Sequence, residues 1–100
     1  MIDVEESDLY RVLKEGKWMT GIELRMALRK LKGIRPGIHL GNVEVYVTDI
    51  TLGSLYGCLF DMKNAECINE RPKEGERCGR LEYTLTERGI EQRRKSRNIK

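Results

Sequence analysis

The feature that most restricts the fold lies in residues 51–84, where the spacing of apolar residues changes once, from helical to strand-like. Leu52, Leu55, Leu59 and Met62 fall on one stripe of a helix, with Cys58 at its border and Thr51 placed to cap its start. The opposite face of that helix, which runs to about Asn64, carries Gly53, Gly57, Phe60, Asp61 and Asn64. Beyond it, Cys67–Glu70 and Leu81–Thr84 have the length and composition of two strands of a hairpin. The connection from Arg71 to Arg80 is charged and rich in turn residues. A short amphipathic helix followed by such a hairpin leaves few architectures open.

The preceding half narrows them further. Ser7 opens a helical pattern with Leu9, Val12 and Leu13 on one face, and Gly16 stops it. After Lys17-Trp18-Met19, the run Thr20-Gly21-Ile22-Glu23 has capping-box spacing, so that threonine and glutamate can satisfy free amides reciprocally. The helix it opens buries some combination of Ile22, Leu24, Leu28 and Leu31 and ends at Gly33, with Arg25, Arg29, Lys30 and Lys32 on its exposed side. Residues 33–50 break the period with Gly33, Pro36, Gly37 and Gly41, and then Val43, Val45 and Val47 alternate as in a short strand or an extended loop. Thr86 can cap a last helix reaching about Arg97. The order predicts an α+β winged helix-turn-helix: a three-helix core, a two-stranded wing hairpin and a short C-terminal helix, in one domain over residues 1–100. In that architecture the third helix offers its polar side to the major groove and the hairpin tip reaches phosphates or the minor groove.

Composition bears on the partner. No apolar run is long enough to span a bilayer, and Asp3, Glu5, Glu6 and Asp8 at the N-terminus are the opposite of a cationic secretory start. A cytoplasmic protein with no membrane partner is expected. Three cysteines, Cys58, Cys67 and Cys78, form no Cys-x-x-Cys pair, and the single histidine, His39, lies far from them. Reduced structural thiols and no metal site are expected, with Cys78 in an exposed loop where oxidation could occur. No phosphate-binding glycine loop or nucleophile–base pattern is present, so neither an enzyme nor a cofactor is expected. The net charge is only +3, but it is unevenly spread. Residues 17–35 hold six bases against one acid, a net +5, and residues 84–100 hold six against two, a net +4, including Arg93, Arg94, Lys95, Arg97 and Lys100. Two such blocks suit a polyanion-binding face, and each alone also suits a solvated surface.

Leu52-Gly53-Ser54-Leu55-Tyr56 with Leu59 and Met62 resembles the recognition-helix signature of PadR-like winged-helix regulators. Tyr83-Thr84-Leu85-Thr86-Glu87-Arg88-Gly89 resembles the strand-to-helix signature that closes their wing, and Gly21-Ile22-Glu23-Leu24 is similar to the start of their second helix. The resemblance covers residues 7–90, with 33–50 longer than is usual there and 91–100 a basic tail. It implies a transcriptional regulator that binds double-stranded DNA as a homodimer. By position it implicates Thr51, Ser54, Tyr56 and Lys63 of the recognition helix and Lys73, Arg77 and Arg80 of the wing. Members of this family usually continue into long C-terminal dimerisation helices, whereas here Ile90 and Ile99 are the only apolar residues after Leu85. Glu66 stands where the family tends to carry a glycine closing the recognition helix.

Several residues carry two readings. Tyr56 is a DNA contact or a core side chain with a wet hydroxyl; Phe60 contacts a thymine methyl or a partner protein, or tucks under residues 33–50. Arg25, Arg29 and Lys30 are placed to hold the DNA backbone. The acid and the phenylalanine on the recognition face, with a nearly neutral wing, also suit a winged-helix module that binds a protein partner and no DNA. A dimer would form through Ile2, Val4 and the first helix, or through residues 33–50.

Overall fold

The computed structural model describes residues 1–75 and 80–98. Helix α1 (Glu6–Val12) is followed by strand β1 (Met19–Thr20), helix α2 (Gly21–Lys32), a hairpin of β2 (Ile38–Leu40) and β3 (Val43–Val45), helix α3 (Leu52–Asn64), strands β4 (Ile68–Pro72) and β5 (Leu81–Leu85), and helix α4 (Glu87–Asn98). Two antiparallel sheets result. One has the order β1-β5-β4, with Met19 opposite Tyr83 and Ile68 opposite Leu85; the other is the β2–β3 pair alone. This is the expected winged helix-turn-helix. None of its described helices is long and apolar enough to cross a membrane.

Local chemistry accounts for most boundaries. The Glu23 amide donates to Thr20 Oγ1 at 3.2 Å and the Thr20 amide to Glu23 Oε1 at 3.1 Å, closing the capping box that starts α2. That amide is the first cause of a Glu23 carboxyl held below its ordinary range. Gly33 ends α2 in the left-handed region, and the Ile34 amide returns to the Arg29 carbonyl. Helix α1 departs from expectation at both ends. Its cap is Glu5, whose amide donates to Asp8 Oδ2 at 2.9 Å, and it stops at Val12, so Gly16 shapes the following turn rather than the helix end. Thr86 Oγ1 accepts the Gly89 amide and starts α4 as anticipated.

The core is drawn from α1, α2 and α3 and from the three-stranded sheet: Leu9 and Leu13, Leu24 and Leu28, Leu55, Leu59 and Met62, with Ile50, Ile68, Tyr83 and Leu85, and Ile90 of α4 packs against it half-buried. Of the residues expected in the α2 core, Ile22 and Leu31 are instead exposed, and Leu52 leaves the α3 stripe for solvent. Gly89 is the tightest point. A Cβ there would overlap the Cys67 carbonyl oxygen and press on Leu85, so α4 can cross the start of β4 only with glycine at this position. Arg93 of α4 then reaches α1, donating to the Leu13 carbonyl at 2.9 Å and to Glu15 Oε1 at 2.8 Å. The arginine assigned to a cationic tail therefore closes the C-terminal end of a helix.

The N-terminal segment lies along the start of α3. The Ile2 amide donates to the Asp49 carbonyl at 2.9 Å, the Thr51 amide to the Ile2 carbonyl at 2.8 Å, and the Val4 amide to Ser54 Oγ at 2.8 Å. Val4 is buried within its own chain and is not available to the dimer surface anticipated for it. Residues 33–50 form a hairpin rather than an extended loop, and its apolar side chains Ile38, Leu40 and Val43 face solvent. The radius of gyration, 14.5 Å, is above the ~13 Å usual for this length, consistent with a projecting element.

Candidate nucleic-acid interface

Three elements meet at one cleft. The capping box fixes the first turn of α2, α3 crosses it, and β5 of the wing runs alongside through its pairing with β1. The cleft, of about 220 Å³, is lined by Thr20, Gly21 and Ile22 of the α2 start, Tyr56 of α3, and Arg80, just before β5, with Leu81 and Tyr83 of that strand. Tyr56 leans across the helix start so closely that a Cβ on Gly21 would come 2.7 Å from its hydroxyl. Gly21 thus makes room for the tyrosine, a relation that spacing alone does not reveal. The cleft joins a phenol, a guanidinium and the partly positive start of a helix, a set that suits a phosphate oxygen.

The other anticipated site residues are placed differently. Thr51 caps α3 by position, but its hydroxyl turns to the Ile2 carbonyl at 3.4 Å. Ser54 is engaged twice, accepting from Val4 and donating to the Thr51 carbonyl at 2.8 Å. Lys63 is ion-paired with Glu70 of β4. Lys73 opens the wing loop, its amide donating to the Arg80 carbonyl at 2.7 Å. Arg77 and Cys78 lie outside the described residues. Arg71 stacks over the Trp18 ring at 3.9 Å and reaches Glu82 Oε1 at 3.3 Å, tying the wing base to the segment before α2.

The basic face of α2 is largely committed elsewhere. Arg29 Nε and Nη2 grip Asp49 at 2.9 and 2.7 Å, Arg25 approaches the same carboxylate at 3.6 Å, and the Arg29 guanidinium lies 3.9 Å over the Tyr46 ring. This fork pushes the Asp49 carboxyl down to about 2. Lys32 pairs with Asp8 of α1 at 2.9 Å; burial pushes that carboxyl up, but the Glu5 amide and Lys32 together hold it below its ordinary value. Lys30 is exposed near the end of α2, far along the helix from the cleft. Asp49 is the residue that sequence reasoning missed. Its one signal is a lone acid immediately before the apolar Ile50 and the cap Thr51.

The outward face of α3 is less polar than a groove-reading helix requires on its own. Leu52, Tyr56 and Phe60, one turn apart, are 44, 46 and 65% exposed, and Gly53 and Gly57 beside them meet open space. Phe60 therefore does not tuck under residues 33–50. Asp61 is exposed on the same helix. The two described thiols differ in setting: Cys67 is buried, and burial pushes the Cys58 thiol up, followed by the negative charge of Glu6 and Asp61. Among the described residues no three histidine, cysteine or acidic side chains gather as metal ligands would.

Neither a family model nor a curated protein matches this chain. Its structure is similar to the crystal structure of a PadR family transcription regulator from hypervirulent Clostridium difficile R20291. The TM-score is 0.63 and the identity 20%, over 92% of this chain and 81% of that one.

Proposed function

We propose that this chain, which has the fold of a PadR-like winged helix, is a DNA-binding transcriptional regulator. In this reading α3 enters the major groove and the wing, residues 70–80, lies on the backbone or in the minor groove. The carrying observation is the meeting of the α2 start, Tyr56 and Arg80 around one cleft, because a winged helix needs those three elements to face the same duplex. Thr51, Lys63, Lys73 and Arg77 complete the contact set, and Lys30 adds long-range attraction. Arg25, Arg29, Ser54 and Lys63 take part only by giving up Asp49, Val4 or Glu70. Reading a two-fold operator requires two copies of the chain, and the protein would act in the cytoplasm.

Fluorescence anisotropy with duplex DNA across a salt series tests this reading. Affinity should fall steeply as salt rises, and replacing Arg77 and Arg80 together should reduce the log–log slope by up to about two. Tyr56→Ala should weaken specific binding with the fold intact. No binding at low salt, in a folded protein, overturns the proposal.

A second reading rests on the α3 face: Leu52, Tyr56 and Phe60 form an exposed apolar stripe beside Asp61, and Lys63 is neutralised by Glu70. That surface suits a protein partner, as in an adaptor or an inhibitor of a transcription protein. A stoichiometric protein complex lost in Phe60→Asp, with no DNA affinity at physiological salt, would establish it.

A further inference from the structure

Toward the C-terminal end of α2, away from the cleft at its start, a cavity of about 410 Å³ lies between the end of α1, α2 and the 33–50 insert. Its walls divide by chemistry. Met26, Ile34 and Tyr46 are apolar or aromatic, while Lys14 and Lys30 are exposed cationic residues of its lining. Arg29 also lines it, but its charge is taken by Asp49. No carboxylate is among the lining residues, and the side chains of Lys14 and Lys30 have no ion-pair or hydrogen-bond partner among the described residues. Its volume falls in the range of small-molecule sites, which pair an apolar body with a few convergent polar groups.

We propose that this cavity binds a small amphipathic anion, an aryl or alkyl carboxylate, with Lys14 and Lys30 on the charged end and Met26, Ile34 and Tyr46 against the apolar body. The two lysines select for negative charge. A bare phosphate would leave Met26 and Ile34 uncovered, and a neutral hydrocarbon would leave both ammonium groups unused. The site is held ready by polar contacts that a ligand need not rebuild: the Arg29 guanidinium fixes the Tyr46 ring from one side, and the Tyr46 hydroxyl donates to Glu44 Oε2 at 3.0 Å. The insert supplies the outer wall, so the cavity exists because this segment folds back on α2 instead of turning directly into α3. The proposal stands independently of DNA binding.

The test uses the full chain and the fluorescent aryl sulfonate 1-anilinonaphthalene-8-sulfonate, with octanoate as competitor and octylammonium as its charge-reversed control. The dye should bind with one-to-one stoichiometry and be displaced by octanoate but not by octylammonium. Lys14→Gln with Lys30→Gln should lower dye and octanoate affinity about tenfold or more, since each lysine gives a charge-assisted contact. Both lysines are exposed, so circular dichroism should be unchanged. Leu40→Asp with Val43→Asp, on the exposed hairpin face, should leave binding unaltered. Equal displacement by octylammonium, unchanged affinity in the lysine variant, or loss of binding in the hairpin variant overturns the proposal, the last by placing the dye on the hairpin.

Discussion

The wing and the inserted hairpin are both two-stranded antiparallel pairs, yet they are held by opposite means. The wing strands β4 and β5 carry Ile68, Tyr83 and Leu85 into the core, gain a third strand in β1, and pass straight into α4. The insert places no β2 or β3 side chain in the core and turns Ile38, Leu40 and Val43 to solvent. A lone two-stranded hairpin is marginal in water. Its attachment is a polar clamp, Arg29 of α2 between Asp49 and Tyr46, whereas the Gly37 amide, donating to the Val45 carbonyl at 2.9 Å, closes the insert on itself. Burial makes one element inseparable from global stability, whereas a clamp lets the other open while the core persists.

The comparison is broken most severely at Gly89. Gly89→Ala should cost about 3 kcal/mol or more, because the new methyl meets backbone that cannot move without displacing β4. Chemical denaturation would read it, and a loss below about 1 kcal/mol would show that α4 is free to shift.

Asp49→Asn should detach the insert while sparing the wing. The carboxyl is about 2 in the folded chain against an ordinary value of 3.8, so the ionised form is the stabilising one. That contribution is complete above about pH 4 and is lost as the pH falls through 2. Allowing for solvent screening, the variant should lose about 1–2 kcal/mol at neutral pH and converge with the parent on acidification. Amide exchange should speed up in residues 36–47 and stay slow in β5; uniform acceleration would mean that the clamp supports the whole domain.

Glu66→Gly should stabilise by about 0.5–1 kcal/mol, since Glu66 has φ +61° and its ion pair with Arg88 is exposed on both sides. No gain would show that the left-handed position is relaxed by its surroundings. Smallest of all, Leu40→Thr with Val43→Thr should change stability by less than about 0.5 kcal/mol, as neither side chain is buried. A larger loss accompanied by a fall in molecular mass by light scattering would instead identify the hairpin as the dimer surface.

This contrast also explains what could be read in advance. The capping box of α2, the α3 stripe from Leu55 to Met62 and the Thr86 cap are local patterns, in which spacing along the chain decides which groups can meet, and they appear where expected. Roles that depend on distant partners were not legible. Arg29 and Arg93 look like solvated charge until Asp49 and the Leu13 carbonyl are brought beside them. Ser54 looks like a groove contact until Val4 occupies it, and Ile22, Leu31 and Leu52 have the right spacing for a core that other side chains fill. Of the cleft, Tyr56 and Arg80 were anticipated one by one, but the Gly21 vacancy that seats the phenol was not.

The strap from Ile2 to Val4 has a consequence for the order of folding. Its hydrogen bond to Ser54 and the Cys58 Sγ bond to the Val4 carbonyl join residues 50 and 54 positions apart. Long loops close late, because their entropy is lost before any contact repays it. The α1–α2 pair and the wing hairpin rest on short-range closures and should form first. Helix α3 would then gain its final support last, and its first turn should be the earliest part of the body to loosen when the chain begins to unfold.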